Sequence, residues 1–253
     1  MRSNHLTVRE KSIVAGLYLS KFDVAGLRFL GFNSFKEAFN VIGLTLGVRA
    51  QSIHNYRDEF DPLFPNARLG WHKRKTRDYC KVIYEKYKDF DIDTLSEILK
   101  RSLYKNSDID ILAEQTQEID NELNPSFAKR LITGQAAENY FVKHFSTIER
   151  FSGYHIEDTT LLGCGFDYKL TLGAEFNYLA VEVKGVNDFH GTISLTQKEY
   201  SVASILRDRY FLFVVKNFKE SPIYELHGNP LQSNLDFIKN ERKVIQITWN
   251  ANI

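Results

Sequence analysis

Asp167 and, 15 residues later, Glu182-x-Lys184 are the residues of this chain whose types and spacing suit hydrolytic chemistry. Both lie in runs that alternate. Asp167, Lys169 and Thr171 share one face of the first run, with Phe166, Tyr168, Leu170 and Leu172 on the other. Ala180, Glu182 and Lys184 share a face of the second, opposite Leu179, Val181 and Val183. Residues 173–177 supply a turn, so the runs can pair antiparallel. That pairing brings Asp167 and Glu182 to one point, with Lys184 a pleat away. Two such carboxylates repel and are costly to desolvate, and a divalent cation removes the conflict. Mg2+ suits hard oxygen ligands and typically keeps waters beside one or two carboxylates and a substrate phosphate. The lysine can then orient the attacking water or hold the scissile phosphate. The alternative is a surface hairpin with scattered charge, because Glu-x-Lys is common in strands. Against it stand the preceding Gly165-x-Asp167, the apolar residues around Glu182, and a third acid upstream.

That acid is Glu138. Thr133 is a candidate N-cap for its helix, and Phe141, Val142 and Phe145 recur at helical spacing on the face Glu138 shares. A carboxylate on a core-facing stripe needs a partner, and a metal or a lysine would serve.

Gly134-x-x-x-Glu138, Asp167, Glu182-x-Lys184 and the helix opening at Thr196-Gln197-Lys198-Glu199-Tyr200 together resemble the PD-(D/E)xK nuclease superfamily. The closest resemblance is to the branch named after the C-terminal domain of the NO VEIN protein, over about residues 126–250. Phe166 stands where the motif's name has proline. Gln197 and Tyr200 resemble the Gln-x-x-x-Tyr signature of one branch with one residue fewer between them, and are candidate supporting residues. The resemblance implies a mixed sheet flanked by helices and a Mg2+-dependent phosphodiesterase site, with Mn2+ able to substitute. It implies Glu138, Asp167, Glu182 and Lys184 as catalytic residues, and Asp167, Glu182 and Val183 as the metal-binding positions.

The elements that must position these residues sit in a chain of 253 residues, long enough for one large domain or two small ones. Hydrophobic residues make up 43% and charged residues 26%, which excludes a disordered class. The two cysteines, Cys80 and Cys164, are far apart and fit neither a disulfide framework nor a zinc site. No signal peptide or membrane span is expected, so a cytoplasmic location is. The net charge of +1 hides an asymmetry: residues 1–80 carry 13 Lys/Arg against 7 Asp/Glu, and residues 81–253 carry 20 against 25. A basic N-terminal part suits a polyanion and an acidic C-terminal part suits a metal.

Capping boxes at Thr7–Glu10 and Ser34–Glu37 open helices. Residues 39–58 resemble a helix-turn-helix, with Gly43 where the helices approach and Gly47 in the turn. In that reading the second helix enters the major groove and presents Arg49, Gln51, Ser52, His54, Asn55 and Arg57 outward. The alternative is an ordinary helical hairpin packed in an all-α domain. A basic run then holds Arg68, Trp71, His72, Lys73, Arg74, Lys75 and Arg77, as a phosphate-gripping arm or as a solvated turn. Helices follow over 76–90, with Tyr79, Val82, Ile83 and Tyr87 as apolar stripe, and from Asp93. An acidic connector covers 105–125.

Beyond Lys184, a helix is expected over 196–209 with Val202, Ala203, Ile205 and Leu206 as its apolar residues, and a buried strand over 210–215. Further strands are expected at 223–226 and 244–249, with a short helix at 230–238 between them. The fold class is α+β: an N-terminal all-α, helix-turn-helix-like domain (1–104) and a C-terminal α/β restriction-endonuclease-like core with a mixed sheet (126–253). The function expected is a Mg2+-dependent, restriction-type endonuclease on double-stranded DNA, acting as a homodimer away from membranes. The competing expectations are a non-catalytic DNA-binding or assembly protein, and a nuclease that reads structure or modified bases.

Overall fold

Thr7 opens the first helix with a reciprocal cap: its hydroxyl accepts the Glu10 N–H, and the Glu10 carboxylate accepts the Thr7 N–H. The computed structural model describes residues 6–104, 125–173, 177–241 and 251. Helix α1 (Val8–Lys21) is buried along most of its length. At Gly16 an added Cβ would stand 2.4 Å from the Cβ of Tyr56, so glycine there lets α4 (Ala50–Phe60) cross close to α1. Between them come α2 (Asp23–Phe29) and α3 (Phe35–Thr45). The Ser34 cap is only half a box. Ser34 accepts the Glu37 N–H, but the buried Glu37 carboxylate accepts from Asn33 and pairs with Lys129.

Helices α3 and α4 meet through the tight turn expected of residues 39–58. Gly47 adopts φ +68°, and a Cβ on Gly43 would stand 3.0 Å from Ala50 Cα. Helix α5 (Asp78–Tyr87) buries Cys80, Ile83 and Tyr87; Val82, expected inside, is exposed. Helix α6 (Ile92–Leu103) starts from an Asp91 cap, ahead of the expected Asp93.

Helix α7 (Pro125–His144) runs unbroken for 20 residues. Thr133, the expected N-cap, lies buried in its middle. Nothing between 125 and 132 breaks a helix, and Pro125 occupies the first turn, where proline costs least. The inward stripe is Ile132, Ala136, Ala137 and Phe141, while Val142 is exposed.

The sheet is mixed, in order β1 (His155–Asp158), β2 (Tyr168–Thr171), β3 (Tyr178–Gly185), β4 (Tyr210–Lys216), β5 (Ile223–Gly228). Only β3 and β4 are parallel, and their connection passes through α8 (Gln197–Leu206). One face of the sheet, with Tyr168, Leu170, Val181, Val183 and Phe213, joins α7 and the N-terminal helices in a continuous core. The other face packs Phe166, Ala180 and Tyr210 against Ala203 and Leu206 of α8. Ile205 of α8 is exposed, contrary to expectation. The chain is therefore α+β, with helices first and a helix-flanked mixed sheet after.

Phe166 is thus on the opposite face from Tyr168 and Leu170, where strict alternation had grouped them. The cause is a β-bulge: the register pairs Tyr168 with Val181, yet Asp167 N–H also donates to the Val181 carbonyl, at 3.0 Å. Only a 3-10 turn, Pro230–Gln232, occupies the expected helix at 230–238. Of the expected connector at 105–125, Pro125 begins α7 and residues 105–124 lie outside the described residues, as does the expected strand at 244–249. The N-terminal helices dock on α7 through Thr45, whose hydroxyl donates to Ile132 O at 3.1 Å, and Asn139, which donates to Leu44 O and Thr45 O.

Candidate active site

The bulge aims Asp167. Gly165 precedes it at φ +92°, a conformation in which a Cβ would also strike Val202 of α8 at 2.8 Å. Tyr210 OH donates to Gly165 O, Thr159 Oγ1 to Phe166 O and Thr159 N to Asp167 O, which pins the approach on both sides. One Asp167 carboxylate oxygen accepts the Val183 N–H at 2.8 Å, where β2 no longer pairs. A strand residue points its N–H and C=O the same way, so the Val183 carbonyl faces the same side as Asp167.

Glu182 is buried on the α8 face of β3, 3% exposed. Lys184 Nζ stands 2.6 Å from Glu182 Oε1 and 3.1 Å from Glu199 Oε2. Glu199 is the third residue of α8. Its carboxylate accepts the Thr196 N–H at 2.8 Å while the Thr196 hydroxyl accepts the Glu199 N–H. One carboxylate thus caps the helix and anchors the lysine.

Burial pushes the Asp167 carboxyl up to about 7; the Val183 N–H opposes this, and the Glu138 carboxylate adds to it. Burial, with Asp167 next to it, likewise raises Glu182 well above the carboxylate range, against the pull of Lys184. Burial alone would lower Lys184, but the carboxylates of Glu182, Glu199 and Asp167 outweigh it and hold the ammonium charged.

Glu138 reaches this cluster because α7 lies tight against the end of β3. A Cβ on Gly185 would meet Thr133 O at 2.9 Å and Ala137 Cβ at 3.3 Å. The four expected site residues all line one cavity of about 460 Å3, and Val183 and Glu199 line it too. Desolvated, mutually repelling carboxylates beside a backbone carbonyl fit a hard divalent cation. Among the described residues no group of three or more His, Cys, Asp or Glu is disposed to enclose an ion. An ion held by two carboxylates would take its remaining ligands from a carbonyl, water and substrate, as Mg2+ does.

Gln197 and Tyr200 are exposed and absent from the cavity wall: Gln197 bonds Ser201, and Tyr200 meets Phe237 edge-on. The α8 residue that meets Lys184 is instead Glu199, two residues on from Gln197. Its signal was in the sequence as Thr196-x-x-Glu199, a capping box.

The expected DNA-facing residues divide. Arg49 and Gln51 are exposed, with Ser52 and Asn55 partly so. His54, half-buried, lies over Phe39 with ring centres 5.1 Å apart. Arg57 is buried, not outward, stacked over Phe35 and Phe39 and beside Asp58 and Asp61. In the basic run, Arg74 and Arg77 both pair with the buried Glu59 and stack on Trp71, and Arg68 pairs with Asp61 and Asp23. Lys73 and Lys75 are exposed.

Residues 137–227 match the family described as Protein NO VEIN, C-terminal. The match begins one residue before Glu138, ends in β5, and contains Asp167, Glu182, Lys184 and Glu199. No curated protein and no solved structure matches the chain. Among the described residues, no helix is long and apolar enough to cross a membrane.

Proposed function

We propose that the chain is a Mg2+-dependent endonuclease that hydrolyses phosphodiester bonds of double-stranded DNA. The observation that carries this reading is the convergence of Asp167, Glu182 and Lys184 at one end of the sheet, with both carboxyls raised by burial and mutual repulsion. Asp167, Glu182 and the Val183 carbonyl would hold the ion, and Glu138 would bind it directly or through water. The bound ion supplies Lewis-acid stabilisation of the phosphoryl oxygens and a more acidic water. Lys184 stays protonated between its carboxylates, so it acts as a charged donor to the attacking water or to the scissile phosphate, not as a general base. Glu199 keeps that ammonium in place.

Arg49, Gln51, Ser52, His54 and Asn55 would meet the duplex, with Lys73 and Lys75 adding phosphate contacts. Arg57, Arg74 and Arg77 instead build the scaffold behind them. A restriction-type role and a homodimer, which would cut both strands, belong to the same proposal. The test is plasmid and phage DNA, modified and unmodified, incubated with Mg2+ or EDTA beside Lys184→Ala. Discrete fragments that need Mg2+ and vanish in the variant support it. DNA that is shifted equally by both proteins and never cut would leave a binding or assembly protein.

A further inference from the structure

The cavity has a second wall that the chemistry above does not use. Thr133 is only 6% exposed, and its hydroxyl has no hydrogen-bond partner among the described residues. A mid-helix threonine ordinarily bonds back to the carbonyl one turn earlier; this one does not. The side-chain oxygen of Asn187, buried on the loop after β3, also lacks a partner among the described residues; as an acceptor it calls for a donor such as water. Buried polar groups are nearly always paired, so two orphans on one cavity call for an external partner.

Gly134 stands between Thr133 and the rest of α7. In a helix interior it costs about 1 kcal/mol against alanine. Apart from its chain neighbours and the backbone of its own helix, no atom of the described residues lies within 4 Å of the place its Cβ would take. Gly185, by contrast, must be glycine because α7 presses on it. The fold does not require Gly134, and its missing side chain opens the cavity to the helix backbone. Lys129 and Arg130, one turn earlier, also line the cavity, with Lys129 paired to Glu37. Hydroxyl, amide and cationic groups are those that contact phosphate and sugar in nucleic-acid complexes.

We propose that Thr133 and Gly134 form a second phosphate subsite, which receives the phosphodiester next to the one held at Asp167, Glu182 and Lys184. It rests on the phosphodiesterase reading above. Thr133 would donate its hydroxyl to a non-bridging oxygen, and Gly134 would let the strand approach the helix. Both residues lie just before the matched span, residues 137–227.

The test compares wild type, Gly134→Ala and Thr133→Val in thermal melting and in steady-state cleavage of plasmid DNA with Mg2+. Gly134→Ala should melt at an equal or higher temperature yet raise KM about tenfold, with kcat little changed. Thr133→Val should raise KM in the same direction. A trinucleotide, with two phosphates, should inhibit wild type better than a dinucleotide, and Gly134→Ala should erase that advantage. A lower melting temperature for Gly134→Ala, an unchanged KM, or equal inhibition by both competitors in wild type would overturn the subsite while the nuclease stands. If wild type cuts no DNA and Lys184→Ala behaves identically, the nuclease reading fails and the subsite with it.

Discussion

The N-terminal helices and the end of the sheet both concentrate charge, and they treat it in opposite ways. Around α4, the buried ions have counter-ions: Asp61 with Arg68, Glu59 with Arg77, and Arg57 with Asp58 and Asp61 while stacked over Phe35 and Phe39. At the sheet end three carboxylates surround one lysine, and two of them are pushed up by burial and by each other. The first arrangement is what a fold needs to tolerate charge. The second is unfavourable by itself and makes sense where an added cation and substrate complete it. A run of arginines in sequence is therefore weaker evidence of a binding surface than a small surplus of acid in a cavity.

The comparison breaks first at Lys184. Its replacement by alanine should lower Mg2+-dependent cleavage by about 10²–10³-fold, the loss typical of one preorganised donor. Fragment yield over time measures it, and a loss under tenfold would remove the lysine from the chemistry.

Arg57→Ala should destabilise the protein by about 2–3 kcal/mol, since it leaves Asp58 and Asp61 short of a partner and strips packing from Phe35 and Phe39. Arg49→Ala, at an exposed position, should leave the melting temperature unchanged and weaken DNA binding. Denaturant melts and anisotropy on the two variants check this; the reverse pattern would invert the assignment of scaffold and surface.

pH gives the next test. Asp167 titrates near 7 in the folded protein, above the ordinary 3.8 of the unfolded chain. Its folded form therefore keeps a proton that the unfolded form has lost. The stability this contributes is complete below about 3.8 and is lost as pH rises through about 7. Without metal, wild type should lose melting temperature between pH 5 and pH 7.5 more steeply than Asp167→Asn. Mg2+ should restore more of it at pH 8 than at pH 6. Parallel curves for the two proteins would show that burial does not perturb this carboxyl.

Glu199→Gln keeps the size of the side chain and weakens the anchor of Lys184. Cleavage should fall about tenfold, chiefly in kcat, with the fold intact. A fall in KM or melting temperature alone would mean that Glu199 serves only as a cap. The smallest effect is expected of Lys73→Ala and Lys75→Ala, each of which should reduce the salt slope of DNA binding by about 1.

Some of this was legible residue by residue. Alternation in two short runs, a turn between them and an apolar stretch around Glu182 were enough to pair β2 with β3 and bring Asp167 to Glu182, because the strand period leaves little choice of face. Capping boxes marked the starts of α1 and α3, and Gly43 and Gly47 marked the turn between α3 and α4, because these signals act within a few residues. The bulge that moves Phe166 to the other face was not legible. It depends on Thr159, Tyr210 and Val202, which the chain supplies from elsewhere. Thr133 looked like a cap because local chemistry cannot tell a helix start from a hydroxyl left unpaired inside one.

The sequence by itself determined which residues can do chemistry and which strands and helices carry them, since propensity, period and capping are local. Only the tertiary structure decided which charges are neutralised and which are left in surplus. Glu59 lies 15 residues from Arg74 and 18 from Arg77, and Glu199 lies 15 from Lys184; whether such pairs meet, and how dry they are when they do, is set by packing between elements.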